Sequence, residues 1–276
     1  MSAAVDDRVG SGFSWHRISG VMLRQAYLYK RTLHRWLEIL YWPTVDVMLW
    51  GFITLYLQRS TSDISSVAPR ILGALLLWDV MFRSQQSVAV GFLEDMWGRN
   101  VLNIWASPIK ASEYIAGTIL IGVLRVVIGA SVAILLGVLL YSFNFFSIGL
   151  SLIPFVIALL IMGWSIGVVT TAVVLRLGQG AEELAWAIAF LFQPFSAVFY
   201  PVSVLPGWMQ AIARCIPASY IFEGMREILV PGGGFPTALF IKGFAVDVVY
   251  VVAAWALFAW MLRQVRDRGL LSRFGE

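Results

Sequence analysis

Long apolar runs broken by short polar stretches dominate the chain. Six of them, 39–57, 70–92, 114–141, 150–175, 184–204 and 238–262, approach or exceed the ~20 residues a helix needs to cross a hydrocarbon core. No water is available there to satisfy backbone N–H and C=O groups, so each run is predicted to be an α-helix. Only Tyr-Ser-Phe-Asn-Phe-Phe-Ser-Ile (141–148) separates the third run from the fourth, a turn short enough to predict antiparallel neighbours. Pro194, Pro201 and Pro206 punctuate the fifth. Stretch 203–237 is too apolar for a solvated loop, and Pro206, Pro217, Pro231 and Pro236 break it too often for one span. Two short helices dipping part-way into the outer leaflet fit it better.

Ahead of the first run, residues 15–38 are basic but periodic. Arg17, Arg24, Arg31 and Arg35 recur at steps of seven, seven and four, which stacks them on one helical face. Ile18, Val21, Met22, Leu33, Trp36 and Leu37 occupy the remainder. This is the pattern of a helix lying in the membrane interface, with its cations toward lipid phosphate. The predicted class is therefore an all-α integral membrane protein of six transmembrane helices. An amphipathic interfacial helix precedes the spans, and an outer re-entrant hairpin lies between spans five and six. Residues 1–38 form the cytoplasmic N-terminal part, 39–262 the transmembrane domain and 263–276 a basic tail.

Composition agrees. Of 276 residues 59% are hydrophobic and 13% charged, against roughly a quarter charged in a soluble domain. The net charge of +4 does not mark a nucleic-acid surface, because the basic residues gather at the two ends of the chain. With six spans, the N-terminal part, the loops 94–113 and 175–183 and the C-terminal tail hold 13 Lys and Arg; the opposite side holds 4, Arg59, Arg70, Arg214 and Arg226. By the positive-inside rule both ends face the cytoplasm of a cell that carries the protein in its inner or plasma membrane. The first 14 residues are polar and include Asp6 and Asp7, so the first span is expected to serve as its own insertion signal. The single cysteine, Cys215, excludes an intrachain disulfide and is read as a small buried apolar residue.

Catalytic motifs fail on inspection. Gly163-Trp164-Ser165-Ile166-Gly167 matches G-x-S-x-G, but that motif needs a strand–turn–helix and a histidine, and both histidines, His16 and His34, lie near the N-terminus. In mid-span the pair Gly163 and Gly167 is instead a notch for the close approach of another helix. A phosphate-binding loop needs Gly-Lys, yet Lys30, Lys110 and Lys242 follow Tyr29, Ile109 and Ile241. No metal-binding constellation and no cofactor of this chain's own is expected. Intramembrane charges are the remaining chemistry: Asp46, Asp79, Arg83, Arg125 and Asp247. Each costs a few kcal/mol at mid-bilayer unless paired or facing water. Asp79 and Arg83, four apart, are placed to pair on one face.

The loop 94–110 is predicted to be a cytoplasmic amphipathic helix, opened by Glu94 and Asp95 and closed by Ser107-Pro108. Leu102, Trp105 and Ile109 recur at steps of three and four, and Trp97 and Trp105 suit an interface.

Four features together resemble the membrane (permease) subunit of type-2 ABC exporters, the ABC-2 type transporter permease family. They are the interfacial N-terminal helix, the proline-opened first span (Tyr41-Trp42-Pro43), the loop with Glu94, Gly98 and Ser107-Pro108, and the outer segment. That segment reads Gln193-Pro194, Tyr200-Pro201, Leu205-Pro206, Ile216-Pro217, Tyr220 and Glu223-Gly224-Met225-Arg226. The resemblance covers roughly 15–265. It implies a homodimer, or a pseudodimer, of six-span subunits working with two copies of a separate ABC ATPase subunit, which holds the ATP and Mg. It further implies that Glu94, Asp95, Trp97, Gly98, Arg99, Asn100, Trp105, Ser107 and Pro108 form the coupling element, and that Pro201, Pro206, Pro217, Tyr220, Glu223 and Arg226 belong to an outer gate. One departure stands out: Arg99-Asn100 follow Gly98 where the family has a small hydroxyl residue and an acidic one. The implied function is export of an amphipathic, lipid-like, drug-like or glycan substrate by a non-catalytic subunit. A stand-alone ion-coupled carrier and an intramembrane lipid-modifying enzyme are the alternatives. The first lacks a carboxylate relay, and the second lacks a suitable His or Cys.

Overall fold

The computed structural model describes residues 13–60, 64–141, 151–229 and 233–269. Residues 142–148 of the predicted turn and the end of the basic tail lie outside them. The described residues form α-helices joined by turns: α1 Trp15–Arg31, α2 Leu33–Ser60, α3 Ile64–Trp97, α4 Val101–Ala106, α5 Ala111–Tyr141, α6 Leu152–Leu177, α7 Glu182–Phe192, α8 Gly207–Ala213, α9 Pro217–Ile228 and α10 Thr237–Asp267. Among them α5, α6, α10 and the Arg35–Leu57 part of α2 are long and apolar enough to cross a membrane. Their outward faces carry large exposed apolar side chains such as Phe52, Leu139 and Val252, as lipid-facing helices require.

Two helices differ from the sequence reading. The 15–38 segment is not one helix: Thr32 is extended, and α2 begins at Leu33 and runs straight through Pro43. α2 thus begins within the N-terminal part, and α10 runs on past residue 262 to Asp267. The fifth run does not form one long helix. α7 ends at Phe192, and Gln193 to Ala197 turn, because Pro194 cannot continue the N–H ladder. At 1.5 Å per residue α7 spans only ~16 Å, about half a hydrocarbon core.

The centre of the bundle is α3. It packs most extensively on α6, and also on α5, α2 and α7. The predicted pairing of α5 with α6 is not seen: these consecutive helices make at most marginal contact with each other, and each packs on α3 instead. The reason is in the small residues. Gly163 and Gly167 of α6 lie against the α3 backbone, where an added Cβ would stand 2.4 Å from the Met81 carbonyl and 2.8 Å from that of Gln85. Small-residue notches of this kind let helices approach where lipid offers no hydrophobic drive.

Two apolar clusters lie along the bundle. One gathers Val88 to Met96, α4, the start of α5, and the ends of α6 and α10. The other gathers Leu72 to Met81, the start of α6, and α9. The bundle therefore has an α4 end and an α8–α9 end.

Candidate functional site

The α4 end is built by three acids and three arginines. α3 continues to Trp97, so Glu94 and Asp95 sit in its last turn rather than opening a separate helix. A turn at Gly98–Asn100 follows, and α4 has only six residues. Pro108 ends it, and Ser107 is extended as a residue before proline must be. The predicted helix over 94–110 is thus two pieces with a break. Val101 and Ile104 face inward and Trp105 is half-buried, whereas Leu102 faces out and Ile109 lies beyond the helix. Arg99 has φ of 50°, the left-handed region, whereas Gly98 does not. A non-glycine residue there carries on the order of 1 kcal/mol of strain. Arg99→Gly is accordingly expected to leave thermal stability unchanged or slightly raised, read by detergent melting; a clear loss would mean the Arg99 side chain makes a needed contact.

The arginine stripe of α1 and α2 meets these acids. Arg17 donates from Nε and Nη2 to Glu113 at 2.7 Å each, and the backbone N–H groups of Ser14 and Lys110 also donate to that carboxylate, at 2.8 and 3.0 Å. Glu113 is at the third position of α5 and closes its N-terminus as the acid of a capping box does. The same carboxylate lifts the Arg17 guanidinium above its ordinary value, so its charge persists at any physiological pH. Arg24 grips Asp95 in a two-pronged pair, with Nη2 at 2.6 Å from Oδ2. Tyr114 donates its hydroxyl to the same oxygen at 2.6 Å, and both Asp95 and Tyr114 are 2% exposed. Arg35 reaches Glu94 at 2.9 Å. The stripe thus clamps protein acids rather than facing lipid phosphate; only Arg31, near the end of α1, stays exposed. On its inner side α1 buries Ile18, Val21 and Gln25 against α5. Glu113 and Tyr114 were not singled out in the sequence. The available signal was three acids on one loop opposite four arginines on one face.

α4 is tied further. Trp105 packs on Tyr114 with ring centroids 6.3 Å apart, and the Arg266 guanidinium of α10 lies 5.7 Å from the Trp105 ring. Trp97 Nε1 donates to Glu182 of α7 at 3.0 Å. α4 is therefore coupled to α5 and α10 through Trp105, and the end of α3 that precedes it is coupled to α7 through Trp97.

At the other end the structure brings the predicted outer residues together. Glu223 of α9 accepts from the Val202 N–H at 2.6 Å and pairs with Arg226 at 3.3 Å; Arg226 donates to the Val198 carbonyl at 3.3 Å. Tyr220 donates to the Arg214 carbonyl at 2.8 Å. Pro201 precedes a short 3₁₀ turn, Pro206 precedes α8, and Pro217 opens α9 at a position where its missing N–H costs nothing. The two short helices expected over 203–237 are α8 and α9. Cys215, read as buried, is exposed in the turn between them.

Of the intramembrane charges, Asp79 and Arg83 form the expected pair at 2.6 Å. Asp46 is within electrostatic reach of both. Arg125 is apart from them, bonded to Gln25 at 2.9 Å and lying 4.3 Å from the Tyr29 ring.

The sequence profile of the ABC-2 type transporter family matches residues 21–230, taking in Arg24, Arg35 and the acids they hold, α4 and the α8–α9 hairpin. The chain belongs to the ABC-2 type transporter family. It is also similar to the inner membrane transport permease YadH of Escherichia coli K12, at 24% identity over 94% of this chain and 98% of that one. The YadH sequences of Escherichia coli O157:H7 and Shigella flexneri match to the same extent. As an ABC-2 permease, the chain is a multi-pass membrane protein and the transport subunit of an ABC transporter, with an ABC ATPase as its partner.

Proposed function

We propose that this permease exports an amphipathic, lipid-like, drug-like or glycan substrate from the cytoplasm, driven by ATP and Mg on two copies of a separate ATPase, and that it works as a homodimer. In this reading both termini and α4 lie in the cytoplasm. The chain crosses six times: α3 supplies the second crossing, α7 with residues 193–204 supplies the fifth, and α8–α9 form the re-entrant cap on the outer side. The 13-to-4 distribution of Lys and Arg supports that orientation.

The observation that carries the proposal is the mounting of α4. A short helix with Leu102, Asn103 and Ala106 exposed stands between α3 and α5; its Trp105 packs on Tyr114 of α5 and Arg266 of α10, and Asp95 at the end of α3 that leads into it is held by Arg24 of α1 and by Tyr114. An ATPase that binds one position of α4 better than another biases the whole bundle between two arrangements, since a ligand shifts an equilibrium only by its differential affinity. Glu94 and Asp95, held by Arg35 and Arg24, act as the rigid base of the coupling element rather than its contact surface. The contact surface comprises Leu102, Ala106 and the exposed Trp97.

Leu102→Asp with Ala106→Asp is expected to lower recovery of the ATPase in co-purification at least about tenfold, the scale on which an interface hot spot acts. Yield and melting of the permease itself should not change, because both side chains are exposed. Undiminished co-purification would remove α4 as the docking element.

A further inference from the structure

α6 and α10 pack along much of their length, yet a cavity of about 340 Å³ opens between them, walled by Ile119 of α5 as well. Asp247 lines it, fully buried, and neither carboxylate oxygen has a hydrogen-bond partner among the described residues. The indole N–H of Trp164, on the same wall, is buried and unpartnered too. The Ser165 hydroxyl donates to the Ile161 carbonyl at 2.8 Å, so its proton is directed away from Asp247. A carboxyl group held without a partner in the interior of a membrane helix bundle is strongly disfavoured, and such residues mark functional sites. The coupling and outer-gate machinery described above makes no use of Asp247.

We infer that this cavity binds an amine-bearing amphiphile entering sideways from the bilayer, with its ammonium against Asp247 and its apolar body along α10. Charge selects the head group. An anion is disfavoured beside the carboxylate, and a neutral hydroxyl head group offers it only an uncharged hydrogen bond, weaker than the charge-assisted one an ammonium makes. Trp164 and Trp255 also line the cavity, and aromatic rings beside a carboxylate suit an ammonium group. The rim gives the direction of entry: Phe244, Val248 and Val252 line the cavity and are also largely exposed, on a helix apolar and long enough to cross the membrane. The volume lies at the low end for a small-molecule site. It holds the head group and the first part of a chain, and the rest of the chain stays in lipid. Binding here needs no ATPase and no nucleotide, so it stands or falls separately from the export reading.

The test uses the full-length chain in nanodiscs of zwitterionic lipid, with a nitroxide-labelled long-chain alkylamine and the alkanol of the same chain as probes. Saturable quenching of tryptophan fluorescence is read at matched concentrations in the bilayer. The amine should bind at least about tenfold tighter than the alkanol, the scale of one charge-assisted hydrogen bond. Asp247→Asn should bring the amine down to the alkanol's level. Val251→Trp, which fills the cavity and leaves Asp247 in place, should abolish saturable quenching by both probes and serves as the readout if the Asn variant does not fold. Equal quenching by the two probes in the unmodified protein would overturn the site, as would an amine preference that survives either substitution.

Discussion

Asp95→Ala is expected to cost the permease about 3 kcal/mol, enough to collapse the yield of folded protein from detergent. The substitution removes the acceptor shared by Arg24 and Tyr114, and so strands a guanidinium and a phenol hydroxyl together at the base of α4. Removing one partner of a buried ion pair costs ~3–5 kcal/mol. The lower end applies because the Arg24 side chain keeps 32% of its surface in solvent. Tyr114→Phe removes one hydrogen bond and should cost only about 1 kcal/mol. The double substitution Arg24→Met, Asp95→Leu should recover most of the loss, since no charge is then left unpaired. Thermal melting of the four proteins in one detergent separates these cases. If the double variant is as damaged as Asp95→Ala, the ion pair is not what holds α1 to α3.

Gly163→Val is expected to be at least as severe, at about 3 kcal/mol or more, the upper range of overpacking. A Cβ at this position meets the Ser84 hydroxyl at 1.8 Å and the Met81 carbonyl at 2.4 Å. The serine is able to rotate away, but the carbonyl belongs to the backbone of the central helix. α3 as a whole must then move off α6, and the contacts it makes with α5 and α7 move with it. Ser84→Gly should therefore fail to rescue Gly163→Val. Gly20 is the control: a Cβ there meets nothing within 4 Å, and Gly20→Ala in the middle of α1 should be neutral or mildly stabilising. A Gly163→Val protein that melts like the unmodified one would contradict the close contact of α3 with α6.

The parts of this fold that were legible in the sequence are those set by local physics. Apolar runs announced helices, prolines announced the breaks at 193–206, and a spacing of four announced the Asp79–Arg83 pair. The Gly163 and Gly167 notch was legible as a notch, but not the identity of the helix that fills it. Partners across long separations were invisible. The stripe of Arg17, Arg24 and Arg35 was plain, yet its acids lie 96, 71 and 59 residues away. A basic amphipathic face against lipid and one against a protein acid look alike in a single sequence. For the same reason Glu94 and Asp95 read as the opening of an exposed helix, when they are the buried end of α3. The loop between α5 and α6 suggested adjacency because it is short; the glycines on both helices, turned toward α3, decided otherwise.

The functional reading depends on which side of the membrane α4 occupies, and labelling with a membrane-impermeant maleimide measures that directly. Cys215, exposed in the α8–α9 turn, is the native marker for one end of the bundle. Leu102→Cys in a Cys215→Ser background marks the other, at an exposed position. Intact cells should label Cys215 but not the cysteine at position 102, inside-out vesicles should label position 102, and bound ATPase should then protect it. Labelling of position 102 from outside intact cells would place α4 away from nucleotide and contradict its role as the docking element.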